Sequence, residues 1–404
     1  MFTSYPRDVK TESMIVQKFG GSSVGTPEKI KKVAARISKI RASGEAVVVV
    51  VSAMGDTTDD LVKLADQVTK HEPQAYDREM DMLLSAGERI SMALLSMALR
   101  DLNVEAISFT GSQAGIITDE SHTRARILEI KPVRVHEELN KGKVVIVAGF
   151  QGVSRTKEIT TLGRGGSDTT AVSLAAGLSA SRCEIYTDVG GIFSADPNVV
   201  ARARRYERLP LDLVFEMASK GAQVMHPRSI EVALKGRFPI YVGLAHPTDQ
   251  TELGTFLVPD IGDTALPKVV AITSKSGLKA VHVDSMQANA VIDEFRQDPL
   301  LMHDMSFNPE TGLIVLVDPS ESAKFLARHS ADVQSAAIAT VSVIGPDLQQ
   351  NTRISAMILN TLSEKSINPV GLTSHTQSIT VWLSDPSAVS EALKALHETL
   401  IERT

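Results

Sequence analysis

The sequence predicts an α/β chain: a mostly parallel sheet covered by helices, followed by smaller α+β units. Three observations carry that expectation. Val47 to Val51 is an unbroken run of five valines, the pattern of a strand buried on both faces. Apolar strands alternate with helical stretches through the first part of the chain, as in parallel α/β sheets. Beyond a Gly/Asp/Pro-bearing linker at Pro259 to Pro267 the units shorten, and a β-α-β-β-α pattern recurs.

The chain has 404 residues, which suits two to three domains. A formal charge of -6 gives no basic footprint for nucleic acid. No apolar run approaches the ~20 residues of a membrane span, so no membrane partner is expected. Met1 to Ser13 is polar, with Arg7, Asp8, Lys10 and Glu12, and reads as an N-terminal extension without the apolar core of a secretory signal. Cys183 is the only cysteine, which excludes an intrachain disulfide and a cysteine-rich zinc site. A reducing cytoplasm is the expected compartment.

In order, Met14 to Phe19 is a short strand ending in Gly20-Gly21-Ser22-Ser23-Val24-Gly25. A helix follows over Pro27 to Ala42, with Pro27 suited to its first turn. The valine strand ends in Ser52-Ala53-Met54-Gly55-Asp56-Thr57-Thr58, and a helix starts at Asp59. Parallel sheets bind ligands beyond the carboxyl ends of their strands, where both polar turns lie. Lys18 stands at such an end, where its ammonium could meet a phosphate; a solvated surface lysine is the plainer alternative. The spacing is neither a Walker A loop nor a Gly-x-Gly-x-x-Gly fingerprint. Arg78 to Leu102 is helical and carries Glu88 inside an apolar run. A buried carboxylate is costly unless paired, and Lys18 is the candidate partner; a surface glutamate on an amphipathic helix is the alternative. Ala106 to Thr110 reads as a strand, Gly111 to Gly115 as a turn and Ile116 to Thr118 as a short strand.

The densest stretch follows the strand Val144 to Phe150 and a polar turn, Gln151 to Thr160. It is Thr161-Leu162-Gly163-Arg164-Gly165-Gly166-Ser167-Asp168-Thr169-Thr170, running into a helix over Ala171 to Gly177. Unpaired backbone N–H groups and the helix dipole favour an anion there. Arg164 can grip a carboxylate or phosphate with two parallel bonds. Asp168 among anion-binding donors points to a cation or amine. A helix cap alone needs one Ser or Asp, not this density. The strand Cys183 to Tyr186 ends in Thr187-Asp188-Val189-Gly190-Gly191, then Phe193-Ser194-Ala195-Asp196-Pro197. These acids suit a nucleotide or its metal, or they bond their own backbone as turn aspartates do. Helices over Leu213 to Gly221 and Ser229 to Lys235 flank a lone His226, and Phe238 to Leu244 is a strand. No His/Asp/Glu cluster has metal-site spacing. In the tail, strands are expected at Ile272 to Asp284, Leu301 to Phe307, Leu313 to Val317, Ala339 to Ile344, Val370 to Thr373 and Ser378 to Leu383. Helices are expected at Met286 to Gln297, Ser322 to His329, Thr352 to Lys365 and Val389 to Ile401.

Six ordered motifs then match one family. Lys18-Phe19-Gly20-Gly21-Ser22-Ser23-Val24, Val50 to Gly55, Gly111 to Gly115, Ala148 to Gly152, Gly163 to Asp168 and Tyr186-Thr187-Asp188-Val189 resemble aspartate kinase, of the amino-acid kinase superfamily. The resemblance covers the whole chain. It implies an eight-stranded, mostly parallel αβα sandwich over residues 14–262. Two ACT-type βαββαβ regulatory modules follow, an atypical one at 263–338 and a second at 339–404. Interleaved modules would pair Val270 to Ser276 with the last module. The implied reaction moves the γ-phosphate of ATP to the β-carboxylate of L-aspartate, the first step towards lysine, diaminopimelate, threonine and methionine.

Family roles carry over residue by residue. Lys18 would meet the transferring phosphoryl group, held by Glu88. Ser52, Thr58, Gly165 and Ser167 would contact aspartate, Arg164 its α-carboxylate and Asp168 its amino group. Gly20, Gly21, Ser22, Thr187, Asp188, Phe193 and Asp196 would hold ATP with Mg2+. The modules imply a homo-oligomer and an effector amino acid: meso-diaminopimelate, lysine or threonine. Ser374-His375-Thr376 resembles the diaminopimelate-sensitive subgroup. The chain departs from the family at Ser112, where Trp is usual. It has Asn198 where Arg is common and Gln223 where Lys is common, both on the nucleotide side. The first module lacks the Gln-Asn effector signature. The competing readings are another amino-acid kinase, such as glutamate 5-kinase, or a pseudo-kinase that senses amino acids. The paired modules argue against the first, and the intact Lys18, Glu88, Arg164 and Asp168 against the second.

Overall fold

Five consecutive valines leave no polar face to a strand, and the structure exposes neither face. In the computed structural model, which describes residues 13–70, 73–247, 254–262, 265–297, 302–308, 312–319 and 331–403, all of Ala46–Val51 is buried. The N-terminal extension as far as residue 12, Leu301 and the helix expected at Ser322 to His329 lie outside the described residues. The chain divides into two compact units.

The first unit comprises residues 13–192, 207–211 and 224–261. Its strands are β1 Met14–Phe19, β2 Ala46–Val51, β3 Ala106–Phe109, β4 Ile116–Thr118, β5 Ile127–Ile130, β6 Val144–Ala148, β7 Gln151–Ser154, β8 Ile159–Thr161, β9 Arg182–Thr187, β10 Arg208–Pro210, β11 Ile240–Leu244 and β12 Gly254–Val258. Eight of them form one sheet in the order β10-β12-β11-β9-β1-β2-β6-β3. Every neighbouring pair is parallel except β11 with β12. The carboxyl ends of β1, β2, β6 and β9 therefore open on one edge.

The helices begin with α1 Pro27–Ala42, α2 Thr57–Val68, α3 Asp77–Arg100, α4 Val133–Asn140 and α5 Gly166–Leu178. The Thr26 side chain caps α1 by accepting from Lys29 N–H, with Pro27 in the first turn. Alternate residues of β1 and β2, namely Ile15, Phe19, Val47, Val49 and Val51, pack with Ile30, Val33 and Ile37 of α1 and with Leu95 and Leu99 of α3. Helix α5 lies against β1, β2 and β9. Helix α3 is long and apolar enough to cross a membrane by length and composition alone. Its buried side chains include Asp81, Ser85 and Glu88, and it contacts α1, α2, β3 and β6.

One expectation is corrected here. Gln151 to Thr160 is not a polar turn but an antiparallel hairpin, β7 with β8, in a four-stranded sheet of order β5-β4-β7-β8. Val153 pairs with Ile159, and the reversal runs through Lys157 at a positive φ of 72°. Only Val153 and Ile159 are apolar there, too few to show an alternation, which hides the strands.

The second unit comprises residues 193–206, 212–223 and 262–403. Two stretches within 14–262 thus group with the tail. They include α6 Leu211–Ser219 from its second residue on, while α7 Pro227–Gly236 belongs to the first unit. The tail strands are β13 Ala271–Val283, β14 Asp304–Asn308, β15 Gly312–Val317, β16 Ala331–Ile344, β17 Gly371–Ser374 and β18 Ser378–Leu383, with helices at Ala288–Gln297, Thr352–Glu364 and Val389–His397. The recurring pattern is visible in space. Each half supplies one long strand, a helix and a hairpin, and the sheet order is β14-β15-β13-β16-β18-β17. Ala271 to Lys275 pair with Ile344 to Thr340, the interleaving that the resemblance implies. Strand β16 runs unbroken past residue 338, so both halves share one sheet.

The two edges of that sheet meet through a side chain. Asp304 on β14 is 0% exposed; its carboxylate accepts from Thr373 Oγ1 at 2.5 Å and Trp382 Nε1 at 2.8 Å, and faces His375 Nε2 at 3.1 Å and Lys220 Nζ at 3.6 Å. Burial alone would raise its pKa; the His375 bond, the Lys220 charge and the Thr373 and Trp382 bonds outweigh it and hold the carboxyl well below the usual range. Asp304→Ala is expected to lower the unfolding free energy by roughly 3–5 kcal/mol, because breaking a buried ionic cluster leaves its partners unpaired. Urea denaturation of the variant against wild type measures this; a loss under ~1 kcal/mol would mean the cluster holds nothing together.

Candidate active site

Parallel strands deliver their polar turns to one edge, and backbone hydrogen bonds stitch those turns together. Gly20 N–H donates to Tyr186 O (3.2 Å), Ser52 N–H to Phe19 O (3.1 Å), Gly55 N–H to Gly21 O (3.1 Å) and Gly149 N–H to Val51 O (3.0 Å). Gly21 is required by close approach, since a Cβ there would lie 2.9 Å from Ala53 O. The turns enclose a cleft of about 560 Å³ whose lining includes Lys18, Ser52, Thr58, Glu88, Arg164 and Asp168.

Lys18 is the penultimate residue of β1 and Asp168 sits in the first turn of α5. Their ammonium and carboxylate are 2.7 Å apart, with the side chains 12% and 13% exposed. The path into α5 needs Gly163 and Gly165 at φ 74° and 68°, a region costly for other residues. A Cβ on Gly165 would also come within 2.3 Å of His226 Cβ. Arg164, carried between these two glycines, joins the cleft wall with Gly165 and Ser167.

The expected Lys18–Glu88 pair does not form. Gly87 packs so tightly under the β2–α2 turn that a Cβ there would be 2.8 Å from Ala53 Cβ. That contact brings Glu88 Oε1 to Ala53 N–H, which donates at 3.1 Å. Oε2 has no hydrogen-bond partner among the described residues. Burial, only partly offset by backbone hydrogen bonds, pushes the Glu88 carboxyl up to about 7. Asp168, expected to hold the amino group of aspartate, stands 2.7 Å from the Lys18 ammonium.

The remaining predicted positions divide. Thr187 and Asp188 follow Tyr186, which bonds Gly20; Thr187 Oγ1 donates to Asp188 Oδ1 (2.9 Å), and neither residue lines the cleft. Ser22 lies in the turn Gly21–Ser23, its carbonyl accepting from Lys29 Nζ (2.8 Å). Phe193 and Asp196 belong to the second unit. Asp196 Oδ1 accepts from Asn198 N–H (2.9 Å) and Nδ2 (3.1 Å), the local turn that aspartate commonly makes. Among Ser374, His375 and Thr376, His375 faces Asp304 and the Thr376 carbonyl accepts from Leu348 N–H (2.8 Å). Among the described residues no three His, Cys, Asp or Glu side chains gather as a metal site.

Sequence reading misses three contributors. Asp81 on α3 is fully buried and binds Thr161 Oγ1 (2.5 Å), His122 Nδ1 (2.6 Å) and Thr123 N–H (3.0 Å), fixing Thr123 in the cleft wall. Phe150 lines the cleft at φ 66°, a strained backbone for a bulky residue. His226 walls Gly165 and caps α7, accepting from Arg228 N–H at 3.2 Å. Phe150 lies in the Ala148 to Gly152 motif and the His226-Pro227 pair reads as a helix start, but neither shows its place in the cleft; Asp81 leaves no trace.

Residues 13–243 match the model of the Amino acid kinase family. The chain is 39% identical to an aspartokinase of Mycolicibacterium smegmatis, over 96% of each chain. It is similar in fold to E. coli aspartokinase III in complex with aspartate and ADP, with a TM-score of 0.80, 22% identity and coverage of 96% of this chain and 99% of that one. The same enzyme in complex with lysine and aspartate gives a TM-score of 0.68 at 23% identity, with the same coverage.

Glu88 yields a pH prediction. Its folded pKa lies above the value of about 4.5 for a free side chain, so between ~5 and ~7 the folded state binds more protons and stability falls as pH rises. Glu88→Gln is expected to remove that slope and to gain on wild type by a few kcal/mol across the window. Urea midpoints at pH 5 and pH 8 measure it; parallel pH curves for the two proteins would refute it.

Proposed function

The chain belongs to the amino acid kinase family and, within it, to the aspartokinases, and from that premise we propose how its cleft transfers the γ-phosphoryl group of ATP to the β-carboxylate of L-aspartate. The observation that supports the reading best is the charge pattern of the cleft: Lys18 beside Asp168, Arg164 on its glycine turn, and a buried Glu88 oxygen without a partner. Aspartate has two carboxylates and one ammonium. Arg164 takes the α-carboxylate bidentately. The orphaned Glu88 oxygen accepts from the ammonium, which also favours its ionised form. Ser52, Thr58, Gly165 and Ser167 orient the rest.

The nucleophile is already a carboxylate, so no general base is needed. Phosphoryl transfer then depends on positioning and charge neutralisation. Lys18 supplies the positive charge at the phosphoryl group, and Asp168 holds that ammonium in line. The turn needs its glycines for packing, since a Cβ on Gly20 would lie 3.3 Å from Lys18 Nζ and one on Gly21 2.9 Å from Ala53 O. Gly20, Gly21, Ser22, Thr187 and Asp188 hold the phosphate side of ATP; Phe193 and Asp196, which the resemblance gives to the nucleotide, are carried by the second unit. Mg2+, when bound, would neutralise polyphosphate charge, and Asp188 is the acid of the first unit that would help to hold it.

The residues after 262 regulate, as two modules over 263–338 and 339–404 that share a sheet and join chains into a homo-oligomer. Ser374, His375 and Thr376 form the effector site, with meso-diaminopimelate first, then lysine and threonine. The lone, buried Cys183 suits a reducing cytoplasm.

Two measurements test the assignment. Arg164→Ala is expected to raise the aspartate KM strongly and the ATP KM little, while Lys18→Ala lowers kcat by ~10²–10³, about 2.7–4 kcal/mol, with the fold intact by circular dichroism. An unchanged aspartate KM in the first, or activity within about threefold of wild type in the second, removes that residue from its role. For regulation, each effector is titrated by calorimetry with and without aspartate plus a non-hydrolysable ATP analogue. Affinity is expected to change by roughly 5–150-fold on filling the cleft; no heat from any of the three discards these effectors.

A further inference from the structure

We propose that the second unit carries a binding site for a small amphipathic anion, a molecule with an apolar body and one carboxylate, phosphate or sulfonate group. The proposal is independent of the kinase reading. The site is a cavity of about 530 Å³, within the roughly 300–1,000 Å³ of small-molecule pockets. Its floor is apolar. Val269, Ile354, Leu400 and Ile401 are buried there, and Met357 adds an adaptable wall.

Its rim is cationic. Arg204, Lys268 and Arg353 reach it from three separate segments, no acidic side chain lines it, and none of the three is ion-paired among the described residues. Charges of one sign over an apolar floor focus their field into the cavity and favour an anion there. The helix Thr352–Glu364 adds to this. Its start is capped by Asn351, whose side chain accepts from Ile354 N–H at 3.3 Å, and Asn351 and Arg353 both line the cavity. Asp347 lines an adjoining cavity that shares Lys268 and Asn351, so Arg204 and Arg353 are the cations left to this ligand alone. An apolar body with a single anionic group matches floor and rim together; a bare phosphate would leave the floor wet.

An occupant would bear on more than its own pocket. Arg204 N–H donates to Ser194 Oγ (2.9 Å), which lies 2.8 Å from Nε2 of the fully buried His397. Ser194 O accepts from Ile272 N–H (2.8 Å). The rim is thus tied to the segment that carries Phe193 and Asp196, to β13 and to the last helix.

The test titrates the intact protein with 8-anilinonaphthalene-1-sulfonate, whose emission rises in an apolar site. The neutral N-phenyl-1-naphthylamine is the charge-free counterpart, and the Met357→Trp variant below separates this cavity from any other probe site. One saturable sulfonate site per chain is expected, with the neutral probe weaker. Arg204→Gln with Arg353→Gln should weaken the sulfonate roughly tenfold or more, as loss of charge-assisted contacts does, and leave the neutral probe unchanged. Met357→Trp, which fills the floor, should exclude both. Sulfonate affinity unchanged in the double variant, equal loss of both probes, or a sulfonate site that survives Met357→Trp would each overturn the proposal. The floor variant decides alone if the double variant does not fold.

Discussion

The pair of Lys18 and Asp168 is the constraint on which the first unit turns. An ammonium at the end of a buried strand is costly unless a carboxylate meets it. Asp168 meets it at 2.7 Å only if α5 starts where it does, and α5 starts there only through two glycines in left-handed backbone. That path, in turn, presses Gly165 against His226. One electrostatic contact therefore fixes the strand end, the helix start and the neighbouring helix cap together. It also keeps a positive charge in the wall of the cleft.

Much of this is legible in the residues, and what is not has physical causes. The valine strand reads directly because five β-branched residues in a row admit only a strand covered on both faces. The stretch Gly163 to Asp168 reads as a site because its residues are chemical oddities side by side. The partner of Glu88 does not read, because it depends on how α3 is rotated and how closely Gly87 lets it approach. The β7–β8 hairpin is hidden because its strands carry Gln151, Ser154, Thr160 and Thr161, side chains that sequence patterns assign to turns. Asp81 escapes for a different reason. Its three partners lie 41, 42 and 80 residues away, and only the finished fold brings them to it. The grouping of 193–206 with the tail is of the same kind, resting on Ser194 with His397 at a separation of 203 residues.

The two units use a buried carboxylate in opposite ways. Asp304 is ringed by donors and held ionised, so it acts as a fastener between sheet edges. Glu88 is given one backbone donor and left with a bare oxygen, so burial raises its pKa. Burial alone does not distinguish them; the count of satisfied lone pairs does.

The shared sheet of the tail carries a consequence for its ancestry and its dissection. Strands β13 and β16 are each other's neighbours over most of their length. A half cut free at residue 338 would bare a long row of unpaired amides and carbonyls, a template for joining any other chain. Neither half is therefore a self-sufficient building block in its present form. A duplication that produced them would have had to supply the second copy, from the same chain or another, before either edge could stay soluble, which makes pairing the original condition of such a module and fusion the later one.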